Sequence, residues 1–214
     1  MLQARKKNII FFGLLIILPL VAFSLYHWYE SNKQQLPVYG GTEKNKLGED
    51  KQHAVLSFSF TNQQNKKISD AYIKNKIWVA DYFFTHCASI CPKMTNNLKL
   101  VQQAFAKDDA IKILSFTVDP ERDSVQRLQE YATLYNVNEL KWQLLTGEKK
   151  DLYRFARNDL KIIATAGDGG PDDFIHSEKL VLIDKAQHIR GYYDGTEKAQ
   201  VEQLIKDINR LKNE

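Results

Sequence analysis

Only two cysteines occur in the 214-residue chain, Cys87 and Cys91, four positions apart in Asp81-Tyr-Phe-Phe-Thr-His-Cys-Ala-Ser-Ile-Cys-Pro-Lys-Met94. Closing a loop of about five residues with a disulfide yields roughly 2 kcal/mol in the chain-entropy model, against about 4 for a loop ten times longer. Stapling is therefore the weaker use of the pair. Thiolates are soft, and two at this spacing can face one point, which suits a soft metal ion or reversible disulfide chemistry.

A metal held by two thiolates alone is under-coordinated, so the five histidines are the candidates for a further ligand. His27 belongs with the aromatic group that follows an apolar run, His188 falls at the tip of an expected hairpin, and His53 ends a polar stretch. His86 adjoins Cys87 but, as its neighbour on an extended segment, should point away from the sulfur. His176 lies in the Gly-rich segment Ala166-Gly-Asp-Gly-Gly-Pro-Asp-Asp-Phe-Ile-His176, which can bring it over the thiols. That segment lacks a Gly-Lys-Ser/Thr ending and carries Asp168, Asp172 and Asp173, so it is no phosphate cradle. Cys87, Cys91 and His176 together suit monovalent copper, or divalent copper with an added oxygen ligand. Zinc in a closed site would want a fourth protein ligand.

These residues need a scaffold. Lys76 to Phe84 reads as a buried strand leading into the cysteine loop, and Met94, Leu98, Val101 and Phe105 recur at helical spacing behind it. Pro92 places the helix start near Cys91, which brings both sulfurs close to free backbone N–H groups. Val55 to Phe60, Ile111 to Val118, Trp142 to Leu145, Leu180 to Ile183 and Ile189 to Tyr193 are the other expected strands. Helices are expected over Ser124 to Tyr135, capped by Asp123, over Lys149 to Arg157 and over Glu197 to Leu211. Strands alternating with helices and closing on a hairpin and a helix predict an α/β chain with a mixed sheet covered on both faces. The element order resembles the thioredoxin fold with an N-terminal hairpin extension.

Ahead of this domain, Ile9 to Tyr26 contains no charge, Arg5, Lys6 and Lys7 precede it, and His27, Trp28 and Tyr29 follow. The expected organisation is a cytoplasmic N-terminus over 1–8, a single transmembrane anchor over 9–29, a polar linker over 30–53 and the globular domain over 54–214. Ala22-Phe23-Ser24 loosely resembles a signal-peptide cleavage site, which is the competing reading. Either way the domain is exported, and the short leader points to a bacterial cytoplasmic membrane with the domain on its outer, periplasmic side. The formal charge of +4 is mostly Arg5, Lys6 and Lys7, so no nucleic-acid face is implied.

Three separated segments carry a resemblance. Phe83-Phe84-Thr85-His86-Cys87-Ala88-Ser89-Ile90-Cys91-Pro92, Thr117-Val-Asp119-Pro120-Glu121-Arg122-Asp123, and His176-Ser177 followed by Leu182-Ile183-Asp184 and Arg190-Gly191-Tyr192-Tyr193-Asp194-Gly195 resemble the Sco/SenC family. These are membrane-anchored copper proteins of cytochrome c oxidase assembly. The resemblance implies a thioredoxin-like fold and copper held by Cys87, Cys91 and His176. It further implies delivery to the oxidase's copper-binding subunit, with an upstream copper donor, and Asp119 as an outer contact of the metal site or simply a turn residue before Pro120. The turn Asn62-Gln-Gln-Asn65 lacks the glycine often found in such relatives.

Rival functions remain open from sequence. They are a metallochaperone, a thiol-disulfide reductase or peroxidase-like thiol catalyst working through a Cys87-Cys91 disulfide, and a copper-responsive signalling protein. The stretch Ser177-Glu178-Lys179 has no proline where thioredoxin-type oxidoreductases usually place one, which weighs against general disulfide exchange.

Overall fold

The computed structural model describes residues 2–32, 35–44, 48–162 and 177–214. The chain forms two compact units, 1–35 with Glu214 and 36–213. The first is built on helix α1, Leu2–Asn32, with Pro19 inside it. Leu15, Ile16, Leu18, Leu20, Phe23 and Leu25 are all exposed on it. No helix among the described residues is long and apolar enough to cross a membrane. The side chains at the start of the expected span, Ile9 to Phe12, lie outside the described set.

The second unit is an α/β domain around a seven-stranded mixed sheet. Its strands are β3 (Ser59–Asn62), β4 (Lys67–Ser69), β5 (Ile77–Phe83), β6 (Ile111–Thr117), β7 (Trp142–Thr146), β8 (Lys179–Ile183) and β9 (Ile189–Asp194), in the order β4-β3-β7-β6-β5-β8-β9. The centre is parallel, β5 with β6 and β6 with β7, and the flanking pairs are antiparallel. All seven residues of β5 and all seven of β6 are buried, as two-faced burial of a parallel core requires.

Alternation along β5 divides the core. Ile77, Val79 and Phe83 meet the apolar stripes of α3 (Ile90–Ala104), α4 (Val125–Tyr135) and α6 (Lys198–Asn213). Trp78, Ala80 and Tyr82 face the opposite layer, where Phe58, Phe60, Phe116 and Phe155 interlock with ring centroids 5.1 to 6.2 Å apart. The short helix α2 (Asp70–Ile73) follows β4.

Several boundaries differ from expectation. Val55 to Phe58 is not strand; Val55 and Phe58 pack into the core as side chains of an irregular segment, and only Ser59–Asn62 pairs with the sheet. The expected helix over Lys149 to Arg157 is α5 (Lys149–Arg154) followed by a π-helical turn, Phe155–Asp159. The glycine absent from the Asn62 to Asn65 turn is replaced by Asn65 at φ 60°, a left-handed conformation that asparagine tolerates, while Asn62 Oδ1 accepts from the Gln64 and Lys66 N–H groups.

The expected linker is the largest difference. From Leu36 the chain already packs on the domain, forming the hairpin β1 (Thr42–Lys44) and β2 (Asp50–Gln52). Tyr39 pairs with Ile189, Arg190 donates to the Leu36 and Pro37 carbonyls, and His53 is buried, with Nε2 2.7 Å from the Asp159 carbonyl and Nδ1 2.8 Å from Glu43. Polar composition misled here because the docking uses hydrogen bonds rather than an apolar stripe.

Within β5 one residue breaks the apolar run. Asp81 in β5 is buried, with the Ser115 hydroxyl donating to it and the Trp142 indole N–H donating to Ser115 at 2.8 Å. Burial raises its carboxyl pKa from 3.8 to about 7, opposed by the Ser115 hydroxyl. Because the folded value lies above the unfolded one, the native state binds the extra proton. The contribution of Asp81 to stability is therefore full below about 4 and is lost as pH climbs to about 7. Asp81→Asn is expected to flatten that decline and to raise the thermal midpoint at mildly alkaline pH. A lower midpoint there, with the decline retained, would contradict this account.

Candidate thiol and metal site

β5 ends at Phe83 and the chain enters α3 at Ile90, so the intervening loop carries Cys87 while Cys91 is the second residue of the helix. Pro92 stands in the first turn, where its missing N–H costs nothing because first-turn N–H groups lack intrahelical partners. One of those orphans, the Cys91 N–H, donates to Cys87 Sγ at 3.3 Å. The Cys87 N–H in turn donates to the Phe84 carbonyl. Both cysteines are unbridged; Cys87 is half-buried and Cys91 buried.

The two thiols are chemically unlike. Burial pushes the Cys87 thiol up, but hydrogen bonds from the N–H groups of Cys91, Ser89 and Ile90 and from the Cys91 thiol outweigh it and leave it below the ordinary cysteine value. Burial pushes Cys91 up to about 12, opposed by a backbone hydrogen bond at Phe84 and reinforced by Cys87 and Asp81. An accessible, thiolate-leaning sulfur thus sits over a protonated one.

A small crevice beside Cys91 is lined by Phe84, Ile90, Cys91, Met94, Val118 and Ser177 among others. Ser177 is the residue after His176. His176 itself, with the Gly-rich segment before it, lies outside the described residues. Among the described residues no group of three or more His, Cys, Asp or Glu side chains could hold a metal ion.

Asp119 is mostly buried at the end of β6. Its N–H donates to Thr117 Oγ1 at 2.9 Å, its carbonyl accepts from the Arg122 and Asp123 N–H groups, and its carboxylate lies 3.8 Å from Arg122. The residue overlooked in the sequence is Asp123. Expected to cap α4, it is instead fully buried, and the cap is Ser124, which accepts from the Arg127 N–H. Asp123 accepts from the Thr85 N–H, from the Thr85 hydroxyl at 2.6 Å and from the Thr117 hydroxyl. It thereby fastens the start of the cysteine loop to the end of β6. The one sequence hint was that Ser124 is an equally good cap, which leaves Asp123 free. His86, expected to point away from the sulfur, lies with Nδ1 3.2 Å from Thr85 Oγ1 and 3.9 Å from Asp123. His188 pairs with Asp184 at the β8–β9 turn.

Fold and site together define a thioredoxin-like domain with a thiol pair at a helix N-terminus. The SCO1/SenC family profile matches residues 47–213, and the chain belongs to that family. The SCO1 protein homolog of Bacillus subtilis (strain 168) is 32% identical over 158 residues, covering 73% of this chain and 81% of the relative. Among solved structures, BsSco, a member of the Sco family of cytochrome c oxidase assembly proteins in which a disulfide switch was identified, superposes with a TM-score of 0.63 at 30% identity. That match covers 74% of this chain and 93% of the other. Copper-bound ScoI of Bradyrhizobium japonicum shares the fold, with a TM-score of 0.59 at 21% identity over 74% of this chain and 99% of its own.

The asymmetry of the thiols has a direct readout. Brief treatment of the reduced chain with iodoacetamide at neutral pH is expected to label Cys87 well before Cys91, with peptide mass spectrometry locating the adduct. Equal labelling, or Cys91 first, would contradict the assignment.

Proposed function

We propose that this protein is a copper metallochaperone. It binds one copper ion through Cys87, Cys91 and His176 and delivers it to the copper-binding subunit of cytochrome c oxidase during assembly. The observation that carries the reading is that at the α3 N-terminus the Cys91 N–H donates to Cys87 Sγ and the two thiols are within hydrogen-bonding reach, beside a crevice lined by Cys91 and by Ser177, next in sequence to His176. Membership of the SCO1/SenC family supports it, as do the copper-bound relative and the oxidase-assembly relative. Two soft thiolates and an imidazole suit monovalent copper and tolerate the divalent ion with a further oxygen ligand.

The chain's own chemistry sets the order of events. Cys87, the readier thiolate, meets the ion first. Cys91 holds its proton until the metal displaces it, so loading releases protons and tightens as pH rises. A Cys87-Cys91 disulfide leaves no thiolate for the ion, so oxidation excludes copper. The second reading, a thiol-disulfide reductase acting on the oxidase's own cysteines, is favoured by the same asymmetry, since an exposed low-pKa thiol is the usual attacking group. We further place the protein in a bacterial cytoplasmic membrane, anchored by residues 9–29 with the domain outside. The support is the uncharged run Ile9 to Tyr26 behind Arg5, Lys6 and Lys7.

The reduced chain is expected to bind copper one to one and to acidify an unbuffered solution as it does so. Cys87→Ser, Cys91→Ser and His176→Ala should each weaken binding sharply against a competing chelator, whereas His188→Ala should not. Unchanged affinity in His176→Ala would sink the ligand set. Mixing the reduced, copper-loaded chain with the oxidase's soluble copper domain should move copper; rapid reduction of that partner's disulfide by metal-free chain, with no copper movement, would instead favour the reductase.

Membrane extraction followed by mass spectrometry is expected to recover residues ahead of Ala22. A mature N-terminus near Leu25 would mean that the leader is removed.

A further inference from the structure

His86 is exposed, stands beside Cys87, and has no part in the ligand set proposed above. Its surroundings nevertheless decide which of its nitrogens can act. Asp123 is fully buried and takes donors from Thr85 and Thr117. A threonine hydroxyl has one hydrogen, and the Thr85 hydroxyl donates it to Asp123 at 2.6 Å. Thr85 Oγ1 therefore offers His86 only a lone pair. A hydrogen bond over the observed 3.2 Å then requires the hydrogen to be on Nδ1. The Asp123 carboxylate, 3.9 Å from the same nitrogen, favours it there too. In the neutral ring that arrangement puts the free lone pair on Nε2. Fixing one ring nitrogen through a hydroxyl or carboxylate so that the other can ligate is how proteins prepare histidines for metals.

The sequence position matters equally. Cys87 is the more exposed sulfur and Cys91 is buried, so an ion entering or leaving must pass on the Cys87 side, where His86 is the adjoining residue. We propose that His86 is an exchange ligand. Resting on the copper reading above, Nε2 of His86 and Sγ of Cys87 hold the ion in transit, and the Asp123–Thr85 pair keeps the imidazole in its ligating tautomer. Each step replaces one copper–ligand bond by another with no change in oxidation state, and Nδ1 keeps its hydrogen throughout. An exchange ligand lowers the barrier between two states without stabilising either. It therefore changes rates in both directions and leaves the equilibrium alone.

The test uses the full chain in detergent micelles, reduced and loaded with cuprous ion. Transfer to a sulfonated bathophenanthroline is followed by stopped-flow absorbance, beside an equilibrium titration with the same chelator. His86→Ala is expected to slow loading and unloading by roughly tenfold or more while equilibrium affinity stays within about twofold, tenfold being the scale on which ligand-orienting partners act, and Thr85→Val is expected to slow both to a similar extent. Thr85→Ser, which restores the hydroxyl, should transfer at the wild-type rate. Unchanged rates in His86→Ala would overturn the inference, as would an affinity loss as large as the rate loss, which would make His86 a resident ligand. Slow transfer in His86→Ala with normal transfer in Thr85→Val would overturn the role of the Asp123–Thr85 pair. Failure of the wild-type chain to bind cuprous ion would remove the copper reading itself, an outcome visible before any variant is compared.

Discussion

A buried carboxylate survives only where donors converge on it, because the cost of taking it out of water is otherwise several kcal/mol. Asp123 meets that requirement with a backbone N–H and two hydroxyls, from the loop after β5 and the end of β6. β5 and β6 are already neighbours in the parallel centre of the sheet, in register from Ile77 with Ile111 to Phe83 with Thr117. Asp123 carries that register past the strand ends. The loop holding Cys87 therefore starts from a fixed point, and the helix holding Cys91 starts a few residues later from another. What lies between is too short to wander.

The same economy of distance accounts for the difference between the sulfurs. Cys87 is placed where the N–H groups of the first turn of α3 point outward, and Cys91 is placed inside that turn, against Met94 and the floor of the crevice. Among the described residues, no cation figures in the shift of either thiol. The bias toward thiolate at one position and thiol at the other follows from which side of the helix end each sulfur occupies.

Much of this was readable in the chain. The apolar run from Ile77 to Phe84, period-3.6 spacing from Met94 to Phe105 and Pro92 at the helix start located the strand, the helix and the loop between them, and the two thiols do come within hydrogen-bonding reach there. The contributions that escaped were polar. His53, Glu43, Tyr39 and Arg190 dock the segment from Leu36 onward through hydrogen bonds to main-chain and side-chain groups distant in sequence, and such pairings leave no periodic trace. Asp123 escaped for a related reason: beside Ser124 it reads as a helix cap, and only the tertiary position of Thr85 reveals its other use. The place of His176 stays an expectation from sequence and resemblance.

Ser177 has a consequence for reach. It lines the crevice beside Cys91, two residues ahead of β8, and consecutive Cα atoms lie about 3.8 Å apart. In the ligand set proposed above, the histidine is thus a single covalent step from a residue already placed at the thiol end of the sheet, and the backbone of Ser177 bounds the distance that imidazole has to span.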